Sequence, residues 1–159
     1  MALQDLPDSE NKKLVIENLL DASCEGNIEA VKKLIQDGVN PNRGVETPLM
    51  MASLKNQESI VRYLCDLENI NLDKKSTSGQ TALFFAAQGG NIEIMEMLLS
   101  KGSQVNKTDY VGNTVLHEAF SSDIPEKYFK VAKKLIKWGI DICHCNTMRQ
   151  FLFCSLPCF

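Results

Sequence analysis

The chain has 159 residues, of which 44% are hydrophobic and 23% are charged, a composition typical of a folded globular protein and unlike that of a disordered or collagen-like one. Its formal net charge of −3 offers no broad cationic surface to neutralise phosphates, which argues against nucleic-acid binding. No apolar run reaches the length of about 18 residues that a membrane-spanning helix needs, so we expect no association with a membrane.

Residues 1–8 have neither a basic start nor an apolar run, and they do not resemble a signal peptide. We therefore expect a cytoplasmic or nuclear protein whose six cysteines remain thiols. Residues 1–13 are predicted to form a polar N-terminal lead.

A block of six residues recurs along the chain. Its copies are TPLMMA at 47–52, TALFFA at 81–86 and TVLHEA at 114–119, which begin 34 and 33 residues apart. A leucine follows twelve residues after the alanine in three units, at Leu34, Leu64 and Leu98, and four residues beyond these stand Gly38, Glu68 and Gly102. Leu135 and Gly139 extend the register to a fourth unit. This register predicts four units, roughly 14–46, 47–80, 81–113 and 114–148.

Local chemistry predicts the structure of each unit. Thr47 is a favourable N-cap and Pro48 a favourable first helical residue, and Thr81 and Thr114 are predicted to repeat the cap. The first helix of a unit is expected to end where the left-handed conformation is tolerated, at Gly26, Asn56 and Gly90. A second helix follows, and the glycine-containing segments 76–80 and 109–113 then predict tight turns of a projecting hairpin. The predicted fold is all-α, built from helix-turn-helix plus β-hairpin units.

This pattern resembles the ankyrin-repeat family. The three blocks correspond to its T-P-L-H-x-A signature, and the segments GVNPN at 38–42, GSQVN at 102–106 and GIDIC at 139–143 correspond to its G-A-D-V-N segment. The resemblance implies an ankyrin-repeat solenoid of about four units over residues 14–148. It also implies a hydrogen bond between the threonine and the histidine of the signature, which His117 retains and which Met50 and Phe84 remove from two units.

Candidate catalytic chemistry finds little support in the sequence. The segment HEAFS at 117–121 lacks the second histidine of a zinc-protease helix, and the chain contains two histidines in all. Five lysines, Lys127, Lys130, Lys133, Lys134 and Lys137, gather near one predicted helix. The last four have helical spacing and are interpreted as a solvated face opposite Val131, Leu135 and Ile136 rather than as a nucleic-acid patch. We expect no enzymatic activity, no cofactor and no metal.

The resemblance implies that partners bind the hairpin tips and the exposed side of the first helix of each unit. In this sequence the candidate partner-binding residues are Glu46, Leu54, Lys55, Thr77, Ser78, Gln80, Gln88, Lys101, Thr108, Tyr110, Val111, Asn113, Ser121 and Ser122. Tyr110 is either a binding hot spot or a residue that folds back onto the neighbouring finger. The predicted function is an adaptor or scaffold that binds another protein as a monomer. The alternative is a regulatory or ligand-sensing array of a larger signalling protein, truncated before its effector domain.

Residues 149–159 depart from the repeat and are predicted to be a divergent apolar tail, whose exposed phenylalanines would favour aggregation or docking. Truncation or alternative splicing of a longer array is our hypothesis for this loss of register. A metal-ligand set of Cys143, His144, Cys145, Cys154 and Cys158 is an alternative, but its spacing is not that of a usual zinc knuckle, and we expect thiols. Cys24 and Cys65 are predicted to be packing residues on helices.

Overall fold

The structure is a computed structural model that describes residues 8–120 and 125–141, with side chains over 13–119 and 129–141. Eight α-helices occur in this part of the chain, as four pairs: α1 (Asp8–Glu25) and α2 (Ile28–Gln36), α3 (Pro48–Leu54) and α4 (Glu58–Cys65), α5 (Ala82–Gly89) and α6 (Ile92–Ser100), α7 (Val115–Phe120) and α8 (Pro125–Lys137). The predicted all-α repeat fold is confirmed. The predicted boundary at residue 13 falls within α1, which begins at Asp8.

The helix pairs stack in chain order. First helices pack on first helices (α1, α3, α5 and α7), and second helices pack on second helices (α2, α4, α6 and α8). The leucine of each six-residue block, Leu49, Leu83 or Leu116, is fully buried. Because each unit buries its apolar residues against its neighbours, one continuous core runs through the array.

The threonine at the start of each block does not act in the same way in all three units. Thr47 Oγ1 accepts the N–H of Met50 at 3.3 Å, as predicted for a cap. Thr114 donates its N–H to His117 Nδ1 at 3.1 Å and places its hydroxyl 3.0 Å from the same nitrogen, so the implied threonine–histidine bond is present. The prediction that the Thr81 side chain repeats the cap was wrong. The N–H of Phe84 bonds to the Thr81 carbonyl instead, and the buried Thr81 Oγ1 has no partner among the described residues.

The alanine, leucine and glycine residues that recur from unit to unit lie at the ends of helices. Ala22, Ala52 and Ala86 each accept, through their carbonyls, the N–H of the residue five positions later at 2.9 Å. The predicted left-handed residues before these donors are confirmed, with φ of 82° at Gly26, 58° at Asn56 and 65° at Gly90. Leu34, Leu98 and Leu135 accept the same kind of bond at the ends of the second helices, at 3.0–3.1 Å.

The second unit differs by one residue. Asn42 Nδ2 donates to the Asn69 carbonyl, and Asn106 Nδ2 makes the equivalent bond to the Gly139 carbonyl. Asn69, and not Glu68 as predicted, therefore occupies the glycine position of the repeat. Asn69 is five residues beyond Leu64, whereas Gly139 is four residues beyond Leu135, so the second unit has one additional residue after its leucine.

The hairpins project as tight turns rather than as paired strands. Ser76 N–H bonds to the Gln80 carbonyl, and Asp109 N–H bonds to the Asn113 carbonyl, both at 2.9 Å. Residues 8–120 and 125–141 contain no strand, and the β-structure recorded there is an isolated antiparallel bridge between Thr108 and Thr114.

Candidate functional site

Two projecting turns, finger 2 (residues 76–80) and finger 3 (residues 109–113), form the tips of the candidate site. Finger 3 is built on Asp109, whose buried carboxylate oxygen Oδ1 accepts the N–H of Val111 at 2.9 Å and that of Asn113 at 2.7 Å. Its other oxygen accepts Asn113 Nδ2 at 3.0 Å. Hydrogen bonds to a charged acceptor are stronger than neutral ones, so this finger is held in one conformation.

Finger 3 rests on finger 2 through Tyr110. The Tyr110 N–H donates to the Ser78 carbonyl at 3.0 Å. Gly79 has φ of 85°, and a Cβ atom there would lie 2.6 Å from the Tyr110 nitrogen and 2.8 Å from its ring, so only glycine fits. Lys75 Nζ donates to the Thr108 carbonyl at 2.7 Å and stands 5.2 Å from the centre of the Tyr110 ring, a cation–π distance.

The structure shows part of the fold-back that the sequence offered for Tyr110, and its role as a binding hot spot stays a prediction. One side of the ring contacts the neighbouring finger, yet 66% of the residue remains exposed. The adjoining Val111 is 43% exposed. The fingers thus present an aromatic and an aliphatic side chain to solvent from a fixed backbone.

Glu118, the fifth residue of its six-residue block, contacts finger 2 from α7. Gln80 Nε2 of finger 2 donates to Glu118 Oε2 at 3.2 Å, which places Glu118 at the corner between a finger and α7. Burial, and to a lesser extent the charge of Asp109, raises the pKa of Glu118. Met51 and Phe85 have the equivalent position in α3 and α5, where both are partly buried.

We call the surface formed by Met51, Phe85 and Glu118 together with Thr77, Ser78, Tyr110 and Val111 the groove face. Sequence reasoning missed Met51, Phe85 and Glu118. The signal that could have found them is the recurrence of position five of the block, at residues 51, 85 and 118. Sequence reasoning also missed Lys75, because its contacts with Thr108 and Tyr110 are made to the next unit.

The predicted partner-binding residues occupy three kinds of location. Those exposed on loops or first helices are Glu46, Lys55, Thr77, Ser78, Gln88, Tyr110 and Val111. Those half-buried are Leu54, Gln80, Thr108 and Asn113. Lys101 is not brought to the fingers, because it follows α6 and pairs with Asp66 of the α4 end at 2.7 Å. Ser121 and Ser122 lie outside the described residues.

Of the two cysteines that the structure describes, Cys65 is buried in the core and Cys24 is partly buried on α1. Burial raises the pKa of the Cys65 thiol to about 11 and also raises that of Cys24. Over the described ranges, no group of three or more His, Cys, Asp and Glu side chains could hold a metal ion. The candidate metal-ligand set of Cys143, His144, Cys145, Cys154 and Cys158 lies outside these ranges.

The basic face of α8 is partly as expected. Lys130, Lys133 and Lys137 are exposed, whereas Lys134 pairs with Glu96 of α6. Val131 and Leu135 are buried as predicted. The placement of Ile136 on the buried side was wrong, because 50% of this residue is exposed.

No helix within the described part of the chain is long and apolar enough to cross a membrane.

The stacked helix pairs with projecting fingers define a repeat solenoid. The family described as ankyrin repeats (3 copies) matches residues 19–109 and 68–146, and the chain belongs to the ankyrin-repeat family. Ankyrin repeats are generally non-catalytic modules for protein–protein interaction.

Three relatives illustrate the range of proteins that the chain resembles. It is 33% identical over 129 residues to the putative ankyrin repeat protein FPV031 of Fowlpox virus, which covers 78% of the chain and 37% of the relative. It is 29% identical over 136 residues to the ankyrin repeat domain-containing protein SAT10 of Stachybotrys chartarum, covering 81% of the chain and 6% of the relative. It is 36% identical over 95 residues to protein phosphatase 1 regulatory subunit 12A of Rattus norvegicus, covering 57% of the chain and 9% of the relative. The chain thus spans a minor part of these relatives.

Proposed function

We propose that the chain binds another protein through the groove face and acts as an adaptor or scaffold. The observation that carries this proposal is Tyr110, which is 66% exposed although its backbone is bonded to Ser78 and its ring contacts Gly79. An aromatic side chain that is fixed before binding loses little conformational entropy in a complex, and aromatic residues are enriched among binding hot spots.

The rest of the groove face supports an extended partner segment with apolar side chains. Met51 and Phe85 offer partly exposed apolar surface from two consecutive first helices. Tyr110 and Val111 stand at the tips, so apolar contacts are available on two sides of the groove. The partner would satisfy its own polar groups at the exposed Thr77 and Ser78.

Further properties follow from the same proposal. The chain binds as a monomer, without a cofactor, and catalyses no reaction of its own. It needs neither nucleic acid nor a membrane for this role. We place it in the cytoplasm or the nucleus, where its cysteines stay reduced.

Capture from lysate with the wild-type chain and with Tyr110→Ala tests the proposal. We expect at least one partner to be retained by the wild type and weakened about tenfold or more in the variant, as for a hot-spot residue. The cation–π contact between Tyr110 and Lys75 is worth about 0.5–1 kcal/mol, so we expect the melting temperature of the variant to change little. Partners are identified by mass spectrometry and affinities measured with purified proteins.

Lys133→Ala is the matched control, because Lys133 is exposed on α8 and away from the fingers. Equal capture by Tyr110→Ala and the wild type, or a greater loss in Lys133→Ala, would contradict the groove as the binding site.

A regulatory array within a larger signalling protein is the second candidate. It is favoured by the small share of the relatives' length that the chain spans, and by its similarity to a relative that is named as a phosphatase regulatory subunit. In this case the chain would act on a linked or associated effector domain. Capture that does not depend on Tyr110 would favour this candidate over the adaptor.

A further inference from the structure

In the two middle first helices, α3 and α5, a single residue of each six-residue block reaches solvent. These residues are Met51 and Phe85, which are partly exposed, whereas the other residues of the blocks 47–52 and 81–86 are buried. Both side chains are large and apolar. A partner that approaches the first helices at these two units therefore meets apolar surface from each block.

The two outer first helices place a carboxylate at the same position. Asp21 precedes the alanine whose carbonyl accepts the helix-end N–H bond in the first unit, and Glu118 is the fifth residue of the last block. Asp21 is exposed and Glu118 is half-buried. Because each first helix packs on the next one, equivalent residues follow one another along the array. We call Asp21, Met51, Phe85 and Glu118 the first-helix row.

Negative charge predominates at the Asp21 end of the first-helix row. Burial raises the pKa of the Cys24 thiol, and the ammonium group of Lys55 lowers it. The carboxylates of Asp21, Glu25 and Glu46 also raise this pKa, so all three lie close to the same thiol. Each of the three is exposed, and none forms an ion pair with a described side chain. Three carboxylates thus face one ammonium group at this end.

The Glu118 end of the row also carries more than one carboxylate. Burial, and then the charge of Asp109, raises the pKa of Glu118. Gln80, which donates to Glu118 Oε2 at 3.2 Å, is a neutral donor. A positive charge brought beside Glu118 by a partner would favour the ionised carboxylate and offset its repulsion by Asp109.

We propose that the segment bound by the groove face carries two apolar side chains with a basic residue on each side of them. This inference rests on the proposed function and adds the chemistry of the partner. The apolar side chains pack on Met51 and Phe85, and the basic side chains pair with Asp21 and Glu118. Complementary charge at both ends fixes the register of the segment along the array.

The spacing of the repeats sets the spacing of these residues in the partner. Packed helices lie about 8–10 Å apart, so successive residues of the first-helix row are separated by about this distance. An extended segment in the polyproline II conformation advances about 9 Å in one turn of about three residues. Every third side chain of such a segment therefore meets the next unit. The expected order is basic, apolar, apolar and basic, at every third position.

A synthetic peptide with this pattern tests the proposal. The probe is fluorescently labelled Arg-Pro-Pro-Leu-Pro-Pro-Leu-Pro-Pro-Arg, titrated with the full chain and followed by fluorescence anisotropy. We expect saturable binding. The same peptide with glutamate in place of both arginines should bind at least about fivefold more weakly at low salt, because two ion pairs are lost.

Neutral substitutions at the two ends of the row test the same contacts from the other side. The variant with Asp21→Asn and Glu118→Gln should bind the arginine peptide about fivefold more weakly at low salt. The difference should shrink at high salt, because exposed ion pairs are screened. The matched control carries Glu58→Gln and Glu93→Gln, which remove two charges from exposed positions at the starts of α4 and α6. This control should bind the peptide as the wild type does.

Several outcomes would overturn the proposal. They are no binding of the arginine peptide, equal binding of the glutamate peptide, and an equal loss of affinity in the control variant. Tighter binding of a peptide with the same four residues about seven positions apart, the spacing that matches the units in an α-helix, would overturn the extended form. Self-association of the wild type that Asp21→Asn with Glu118→Gln abolishes would identify a second copy as the occupant instead.

The variant Tyr110→Ala separates this proposal from the proposed function. A captured partner that Tyr110→Ala weakens, and that Asp21→Asn with Glu118→Gln leaves unchanged, would overturn the partner chemistry and keep the groove face as the binding site. Capture that neither variant weakens would contradict both.

Discussion

At the scale of single residues, Thr81 and Thr114 differ in the role of their hydroxyl groups. The difference arises three residues later in the repeat, where one unit has Phe84 and the other has His117. Both threonines are buried at the start of a first helix. Thr114 has the imidazole of His117 beside it, whereas Phe84 gives Thr81 no polar group at the same position. A buried hydroxyl without a partner costs free energy, so the third unit carries a local weakness that the fourth does not.

Valine substitutions at these two positions should therefore have different effects. Thr81→Val keeps the shape of the side chain and removes the unpaired hydroxyl, and we expect a change in unfolding free energy within about 0.5 kcal/mol, or a gain. Thr114→Val removes the contact with His117 and should cost about 1 kcal/mol. Urea denaturation of both variants measures this difference, and a larger loss from Thr81→Val would contradict it.

At the scale of helices, the residues that precede α2, α4 and α6 stabilise either their own helix or the preceding unit. Asn27 caps its own helix by accepting the N–H of Ala30 at 3.1 Å. Gln57 instead donates to the Cys24 carbonyl at 3.0 Å, and Asn91 donates to the Ser53 carbonyl at 2.6 Å. The carbonyls at the C-terminal end of a first helix lack partners within that helix, so the following unit satisfies them.

Asn91→Ala should weaken two units, and Asn27→Ala should weaken one. The first removes bonds to the Ser53 and Leu54 carbonyls, with an expected cost of about 1–2 kcal/mol. The second removes a local cap and should cost about 1 kcal/mol. Hydrogen exchange distinguishes them: Asn91→Ala should accelerate exchange at the end of α3 as well as in α6, and Asn27→Ala in α2. Faster exchange confined to α6 in Asn91→Ala would contradict the bridging role.

The sequence was sufficient for the helix boundaries that depend on local chemistry. Thr47 with Pro48, and Gly26, Asn56 and Gly90, mark helix starts and ends because their preferences act within a few residues. Glu68 does not occupy the glycine position of the repeat, and Lys101 does not lie near the fingers. The sequence could not show this, because both positions depend on contacts to other units. The positions of Asn69 and Lys101 are defined by Asn42 and Asp66, 27 and 35 residues away.

At the scale of the whole molecule, one repeated hydrogen bond joins every pair of neighbouring units. Side-chain oxygens of Asn42, Asp73 and Asn106 accept the N–H groups of Asn71, Gln104 and Asp141 at 2.8, 3.1 and 2.8 Å. These bonds set the register of successive loops, and the shared core supplies the apolar contact. The fingers are thereby held in line along one side of the array.

The candidate site was only partly predictable for the same reason. Tyr110 could be identified from its unusual place in a turn, but its fixed position depends on Gly79 and Lys75 of another unit. Met51 and Phe85, which have in α3 and α5 the position of Glu118 in α7, are partly buried against the core. A local pattern therefore identified the tips of the groove face, and the correspondence between stacked units identified its other members.

Hydrogen exchange of the chain with and without a captured partner tests the central claim, that the groove face is the binding surface, most directly. We predict slower exchange on binding in residues 76–80 and 109–113 and in α3 and α5, with α4 and α6 unchanged. Slower exchange confined to α4 and α6, the second helices, would contradict it.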